Sequence, residues 1–248
     1  GNPAVADMVK HHSVLYRDLA DPLGVLRHRS KTGLRDYWSY VPGSSSPDEG
    51  HREYSQLMSS SLALIGDHIL NSYPLDGYRS LVDVAGGTGN FARAVKKRYP
   101  DLSATVLDLP EVVTEAKDQA LNSSVRFVAT DMFHSPLPED TELFSLVRVL
   151  HDHDDQPVSQ LLARLHSALR PGGHLLIAEP MAGTAGAEPI GDTYFGFYLW
   201  AMGSGRPRTA EELKAMCFAA GFTGVREFKT PIPALTRLLV AEKAVDSQ

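Results

Sequence analysis

From residue 80 onward, short apolar runs alternate with helical stretches, and this alternation restricts the chain more than any other feature. The runs are 80–85 (SLVDVA), 103–108 (SATVLD), 125–129 (VRFVA), 143–149 (LFSLVRV) and 174–179 (HLLIAE). Helical stretches at about 90–99, 110–120, 156–169 and 188–202 separate them. Runs this short and this apolar suit strands covered by helices on both faces. The alternation implies a parallel sheet with right-handed crossovers, hence an α/β, doubly wound, Rossmann-like fold. Two more strands, near 224–230 and 235–242, are expected to complete a seven-stranded sheet as an antiparallel pair. Before them, a helix at about 209–220 starts where Thr209 and Glu212 are spaced as a capping box and stops at Gly221, a C′ glycine.

Residues 1–72 read differently, as a short helical segment ahead of the α/β unit at 73–248. Val5, Met8, Val9, His12, Leu15, Tyr16 and Leu19 recur at helical spacing. A Pro, Gly and Ser-rich loop follows at 40–50, and Tyr54, Leu57, Met58, Leu62, Ile65 and Ile69 mark a second amphipathic helix. The net charge of −6, with no Lys/Arg run, argues against nucleic acid or an anionic membrane as partner. No apolar run approaches the ~18 residues of a membrane span. The single cysteine, Cys217, excludes an internal disulfide and a multi-cysteine metal site, so a reducing, cytoplasmic setting is expected. The chain opens on Gly1 without an initiator Met or a secretory segment, and is expected to be a piece of a longer protein.

Two local features carry chemistry. The first is "LVDVAGGTGNFARAV" (81–95), a strand, a glycine turn and a helix start. Gly86, Gly87 and Gly89 let the backbone approach a ligand closely, and Gly87-x-Gly89-x-x-Ala92 fits the dinucleotide pattern G-x-G-x-x-G/A. Asp108, at the end of the second run, is placed to bind a ribose diol, in either NAD or S-adenosylmethionine. Asp83 favours the latter, because a carboxylate ahead of the glycines suits a cationic ligand and repels a pyrophosphate.

The second feature is "RVLHDHDDQP" (148–157), which admits three readings. A metal site needs converging ligands, yet His151 and His153 are two apart at a strand end and tend to point apart. A phosphohydrolase site needs a largely helical fold, against the parallel-sheet pattern. In the third reading His151 is a single base on the carboxyl edge of the sheet, where open α/β sheets bind ligands. Asp154 or Asp155 then caps the helix beginning near Gln156 and Pro157.

Six ordered motifs add a resemblance: "LVDVAGGTG", "LDLPEVV", "ATDMF", "RVLHDHDD", "LRPGGHLLIAEP" and "GRPRTAEELKAMCFAAGF". Over about residues 50–242 the chain resembles class I S-adenosylmethionine-dependent O-methyltransferases of the caffeate, acetylserotonin and hydroxyneurosporene methyltransferase type. The resemblance implies that Gly86 holds the methionine part of S-adenosylmethionine, with Asp83, Gly87 and Gly89 in the same turn. It implies Asp108 on the ribose hydroxyls with Leu109 beside it, Asp131 and Met132 flanking the adenine with Phe133 nearby, and Arg148 in the same cofactor set. His151 matches the base of the pattern Leu-His-Asp-Trp, Asp152 the acid after it, and Glu179 the glutamate that flanks the histidine. The chain departs from the pattern at Ala85, which replaces a glycine, at His153, which replaces the Trp, and at Pro207, where a second flanking glutamate is expected. Arg206 or Arg208 is left a role particular to this lineage. An N-terminal dimerisation region is usual in the family, so a homodimer is implied.

The expected reaction is methyl transfer from sulfonium to oxygen without a metal, with S-adenosylhomocysteine as product and alignment of the reactants supplying much of the rate. A phenol (pKa ~10) against a histidine (~6.5) leaves a gap of about 3.5 units, or about 4.8 kcal/mol. An aliphatic alcohol near ~15.7 leaves about 12 kcal/mol, so a phenol or enol is the easier acceptor. "DTYFGFYLWAMGSG" (192–205) is apolar all round and mostly core. One face of it (Phe195, Tyr198 and Met202) is expected to line a flat hydrophobic acceptor pocket with Met181, covered by Met58 and Leu62. Two other readings stand beside this one. An NAD(P)-dependent oxidoreductase would use the same glycine turn, but no Tyr is followed by Lys four residues on. A non-methylating member of the fold would bind the cofactor only, against which stands the retention of both His151 and Glu179.

Overall fold

The computed structural model describes residues 3–27, 31–37, 65–119 and 124–245. The expected strands pair into one seven-stranded sheet: β1 (Ser80–Val84), β2 (Ser103–Asp108), β3 (Arg126–Ala129), β4 (Thr141–Val147), β5 (Leu169–Glu179), β6 (Gly224–Phe228) and β7 (Arg237–Glu242). Their order across the sheet is β3-β2-β1-β4-β5-β7-β6. The first five run parallel, while β7 is antiparallel to both β5 and β6. Glu179 and Arg237 are opposite one another, so the connection 229–236 of the β6–β7 hairpin opens on the edge where β5 ends.

Helices cover both faces, as runs buried on two sides require. One face holds α7 (Asp155–Ala168) and α9 (Ala210–Ala219). On α7 the buried residues Val158, Leu161, Leu162 and Leu165 recur at i, i+3, i+4 and i+7, one apolar stripe. Each such side chain contributes roughly 1.5–3 kcal/mol by burial. Truncating fully buried Leu161 to Ala would cost about 2–5 kcal/mol. The other face packs α4 (65–72) and α5 (Asn90–Arg98) on the sheet through Ile65, Ile69, Phe91 and Val95. Helix α6 (Pro110–Gln119) lies over β2 and β3.

The N-terminal helices α1 (Pro3–Asp18), α2 (Pro22–Arg27) and α3 (Gly33–Tyr37) gather around α8 (Phe195–Met202). Leu15, Val25 and Leu34 form a third core there with Tyr198, Leu199 and Met202. The buried side of α1 carries His11 and Leu15, whereas Val9 and Tyr16 of the expected stripe are exposed. The helical spacing was satisfied by two adjacent faces, and burial follows α8 rather than the larger apolar count.

Other boundaries differ for local reasons. The strand expected at 143–149 stops at Val147, because Arg148 takes a left-handed φ of 59°. The strand expected at 174–179 begins at Leu169, since the Pro-Gly-Gly turn is absorbed as an irregularity in its pairing with β4. The single helix expected at 188–202 is a π-helical turn, Pro189–Tyr194, followed by α8. The capping box of Thr209 with Glu212 is formed, and Gly221 follows the helix at φ 106°.

Candidate active site

The carboxyl edge of the sheet gathers two groups of residues. The first surrounds the glycine turn after β1. Asp83 is buried in β1 opposite Ser145 of β4, whose Oγ donates to Oδ1 at 2.6 Å. The other oxygen, Oδ2, is buried with no hydrogen-bond partner among the described residues. It faces Gly86, where a Cβ would sit 2.5 Å from it, so only glycine fits. Burial pushes the Asp83 carboxyl up to about 7; Ser145 opposes this and the charge of Asp108 adds to it. Gly87, at φ 57°, donates its N–H to Asp108 Oδ2 at 2.7 Å, and Leu109 donates to Oδ1 at 2.8 Å. Burial raises Asp108 too, against these two hydrogen bonds. Ala85 stands at φ 52°, a conformation that costs an L-residue about 1–2 kcal/mol. Gly89 immediately precedes α5.

The turn after β3 lies on the same edge. Asp131 accepts from Phe133 N at 2.8 Å and meets His134 Nδ1 at 2.7 Å. Burial acts to raise its carboxyl, but these contacts hold it below the ordinary value. Arg164 of α7 donates to Met132 O at 3.1 Å and so ties this turn to the core.

The second group follows β4. The left-handed Arg148 sends its N–H to Ala178 O at 2.8 Å and redirects the chain into a 3-10 turn, Leu150–Asp152. Glu179, ending β5, takes the amides of Val149 and Leu150 on Oε1, at 2.9 and 2.7 Å. Its Oε2 makes a short hydrogen bond with His151 Nδ1. His151 Nε2 stands 3.1 Å from Asp152 Oδ1, a charge contact without the alignment of a hydrogen bond. Burial of His151 would lower its pKa, but Asp152 and then Glu179 outweigh it and raise the imidazole to about 10. The structure brings His151, Asp152 and Glu179 together at this edge.

The remaining assignments sort by where the structure puts them. Phe195 is half-buried, its ring edge-on to His151 with centroids 6.3 Å apart. Tyr198 touches Phe195 and shares a hydrogen bond of 2.7 Å with His11 Nε2, a contact from α1 that sequence reasoning missed. Met202 belongs to the core with the N-terminal helices, and Met181 is fully buried in the core under α9. Met58 and Leu62 lie outside the described residues.

His153 also gains a physical account. Its ring packs edge-on against Phe133, centroids 5.0 Å apart, and joins the two groups. Burial lowers its pKa and favours the neutral ring. The expected cap is corrected: Asp154 occupies the N-cap position, but its carboxylate makes no capping hydrogen bond and instead accepts from Gly205 N. Asp155 pairs with Arg206 and Arg208, which hold its carboxyl below the ordinary range. A capping aspartate and one reaching across to another loop look alike in sequence. Among the described residues, no group of three or more His, Cys, Asp or Glu converges as metal ligands, and no helix is long and apolar enough to cross a membrane.

The sheet order, the glycine turn over Asp83 and the His–Glu pair on one edge define a class I methyltransferase fold. Residues 16–223 match the O-methyltransferase domain family, and the chain belongs to it. It is 43% identical to a demethylspheroidene O-methyltransferase of Rhodobacter capsulatus over 97% of this chain and 61% of that protein. It is 38% identical to the protein of that name from Cereibacter sphaeroides, over 99% and 66%. An acetylserotonin O-methyltransferase of Rattus norvegicus is 37% identical over 66% of this chain and 39% of its own length. The chain thus spans less than two thirds of the length of these relatives. Among solved structures, human N-acetylserotonin methyltransferase in complex with SAM superposes with a TM-score of 0.80 at 25% identity, over 93% of this chain and 67% of that one. The mitomycin 7-O-methyltransferase MmcR shares the fold, with a TM-score of 0.84 at 20% identity over 98% and 73%.

Proposed function

We propose that this chain is an S-adenosylmethionine-dependent O-methyltransferase acting on a hydroxyl, favoured as phenol or enol, of a hydrophobic small molecule. The observation that carries it is the buried His151–Glu179 pair on the same edge as a buried, half-satisfied Asp83 beneath a glycine turn. Family membership and the relatives named above support the same reaction class.

The residues present fit the cofactor. Asp83 Oδ2 is a buried acceptor without a hydrogen-bond partner among the described residues and suits the cationic methionine end. Asp108 is pinned by two amides and keeps lone pairs for the ribose hydroxyls. Asp131, Met132 and Phe133 would flank the adenine, with His153 behind Phe133. Gly86, Gly87 and Gly89 line the turn, and Leu109 and Arg148 follow the ends of β2 and β4, the strands on either side of β1. Bound S-adenosylmethionine supplies the methyl group from its sulfonium and leaves as S-adenosylhomocysteine.

In this reading His151 receives the acceptor's proton at Nε2 while Glu179 fixes the tautomer at Nδ1. An acceptor hydroxyl reaching Nε2 enters beside Asp152, which stands 3.1 Å away without the alignment of a hydrogen bond. Moving Asp152 off the imidazole would remove the largest upward influence on it and leave burial to lower its pKa toward the range of a working base. Phe195 offers an aromatic edge beside His151 for a flat acceptor. A cytoplasmic homodimer of secondary metabolism completes the proposal, with a helical segment ahead of a cofactor domain whose core already includes Ile65 and Ile69 of α4.

Calorimetry with S-adenosylhomocysteine and with NADH tests the cofactor, followed by labelled methyl transfer to a panel of hydrophobic phenols, enols and tertiary alcohols. Binding of NADH without S-adenosylhomocysteine would overturn the reading in favour of an oxidoreductase.

A further inference from the structure

Residues 203–209 join α8 to α9 and cross directly over the turn that carries His151. Ser204 Oγ donates to Asp152 O at 2.7 Å, and Gly205 N donates to Asp154 Oδ1 at 2.9 Å. Gly205 has φ 78°, and a Cβ there would collide with His151 O and the backbone of Asp152. The two segments therefore meet backbone against backbone, which only glycine permits.

Arg208, 3% exposed, grips the turn from the same loop. Its Nη1 donates to Leu150 O at 2.8 Å and its Nη2 to His153 O at 2.7 Å. Asp155 Oδ1 accepts from Nε and Nη2 at 2.9 and 2.7 Å and fixes the plane of the guanidinium. The two carbonyls bracket the turn, one residue before His151 and two after it. Glu179 holds the same turn by its amides, at Val149 and Leu150. A rigid planar fork reaches two carbonyls and a carboxylate at once, and a lysine ammonium, a single point of charge, does not.

We propose that Arg208 is a positioning residue for His151: its guanidinium fixes the carbonyl side of the turn, as Glu179 fixes the amide side, and so sets the imidazole against Glu179 and Asp152. The inference rests on the proposed function only for the use made of His151. The experiment follows the His151 imidazole by NMR titration in the histidine-labelled chain, alongside thermal melting and calorimetry with S-adenosylhomocysteine. Arg208→Lys keeps the charge and loses the fork. It is expected to move the His151 titration down by about one pH unit or more, as its two carboxylate neighbours fall out of register. S-adenosylhomocysteine affinity should stay within about threefold, less than 1 kcal/mol. A lower melting temperature with an unmoved His151 titration would make Arg208 merely structural and overturn the proposal. Should Arg208→Lys fail to fold, Ser204→Ala, which removes one contact on Asp152 O, is expected to move the same signal the same way by a smaller amount, and no movement overturns it. Failure of the parent chain to bind S-adenosylhomocysteine would defeat the proposed function, while the titration still decides the role of Arg208.

Discussion

Two buried glutamates sit at opposite edges of the sheet and use the same device to different ends. Glu142, near the start of β4, accepts the amides of Arg79 and Ser80 at 2.7 and 3.2 Å. Glu179, at the end of β5, accepts those of Val149 and Leu150. The second partner differs. Glu142 meets the guanidinium groups of Arg79 and Arg170, both 2.8–3.0 Å away, whose charge is permanent. Burial works against its charge, but these donors hold its carboxyl below the ordinary value. Glu179 meets an imidazole, a partner that can give or take a proton. A fixed partner makes a brace, and a titratable partner makes a site that can do chemistry.

The largest expected effect comes from truncating either glutamate. Glu179→Ala strands two buried amides and the imidazole, at about 3–5 kcal/mol, whereas Glu142→Ala leaves part-buried amides and guanidinium groups that water can reach, at about 1–3 kcal/mol, both read by denaturant titration. A loss below 1 kcal/mol at either would break the likeness between the two edges. Isosteric change then separates them. Glu179→Gln is expected to lower methyl transfer on the order of 10²–10⁴-fold, because the amide no longer stabilises the imidazolium. Glu142→Gln should leave turnover unchanged. His151→Ala should lose turnover to a similar extent while S-adenosylhomocysteine still binds, and unchanged turnover would remove His151 from the mechanism.

A smaller effect concerns Asp83, whose folded pKa of about 7 lies above the ordinary 3.8. Its contribution to stability is therefore complete below about pH 3.8 and is lost as pH rises through about 7. Asp83→Asn keeps an acceptor for Ser145 and removes that loss. It should stabilise the ligand-free chain by roughly 1–3 kcal/mol above neutrality, with no gain at low pH, and should weaken S-adenosylhomocysteine binding. Equal stability at both ends of the pH range would show that Asp83 is not held at a cost for a ligand. The smallest change is Ala85→Gly, expected to add up to about 1 kcal/mol of stability by relieving the left-handed alanine, measured as a rise in melting temperature.

Periodicity and turn residues made the sheet legible, because strands buried on both faces leave unbroken apolar runs and the glycine turn has few alternatives. The union of His151 with Glu179 was legible only through ordered motifs, since twenty-eight residues separate them in the chain. Contacts made by loops across space were not legible. Asp154 resembles a cap in sequence yet serves Gly205, and Arg208 shows no pattern that marks a buried guanidinium. His153 breaks the Leu-His-Asp-Trp pattern, and only the ring of Phe133 beside it explains why another aromatic group is accepted there.

The reversed direction of β7 has one more outcome. Because the 229–236 connection opens beside the end of β5, a stretch of chain stands on the rim of the site without belonging to any strand. Lengthening such a connection adds only about 0.6 kcal/mol of closure entropy per doubling. A protein engineer could therefore extend this hairpin tip into a lid over bulkier acceptors, leaving the sheet and its glutamates untouched.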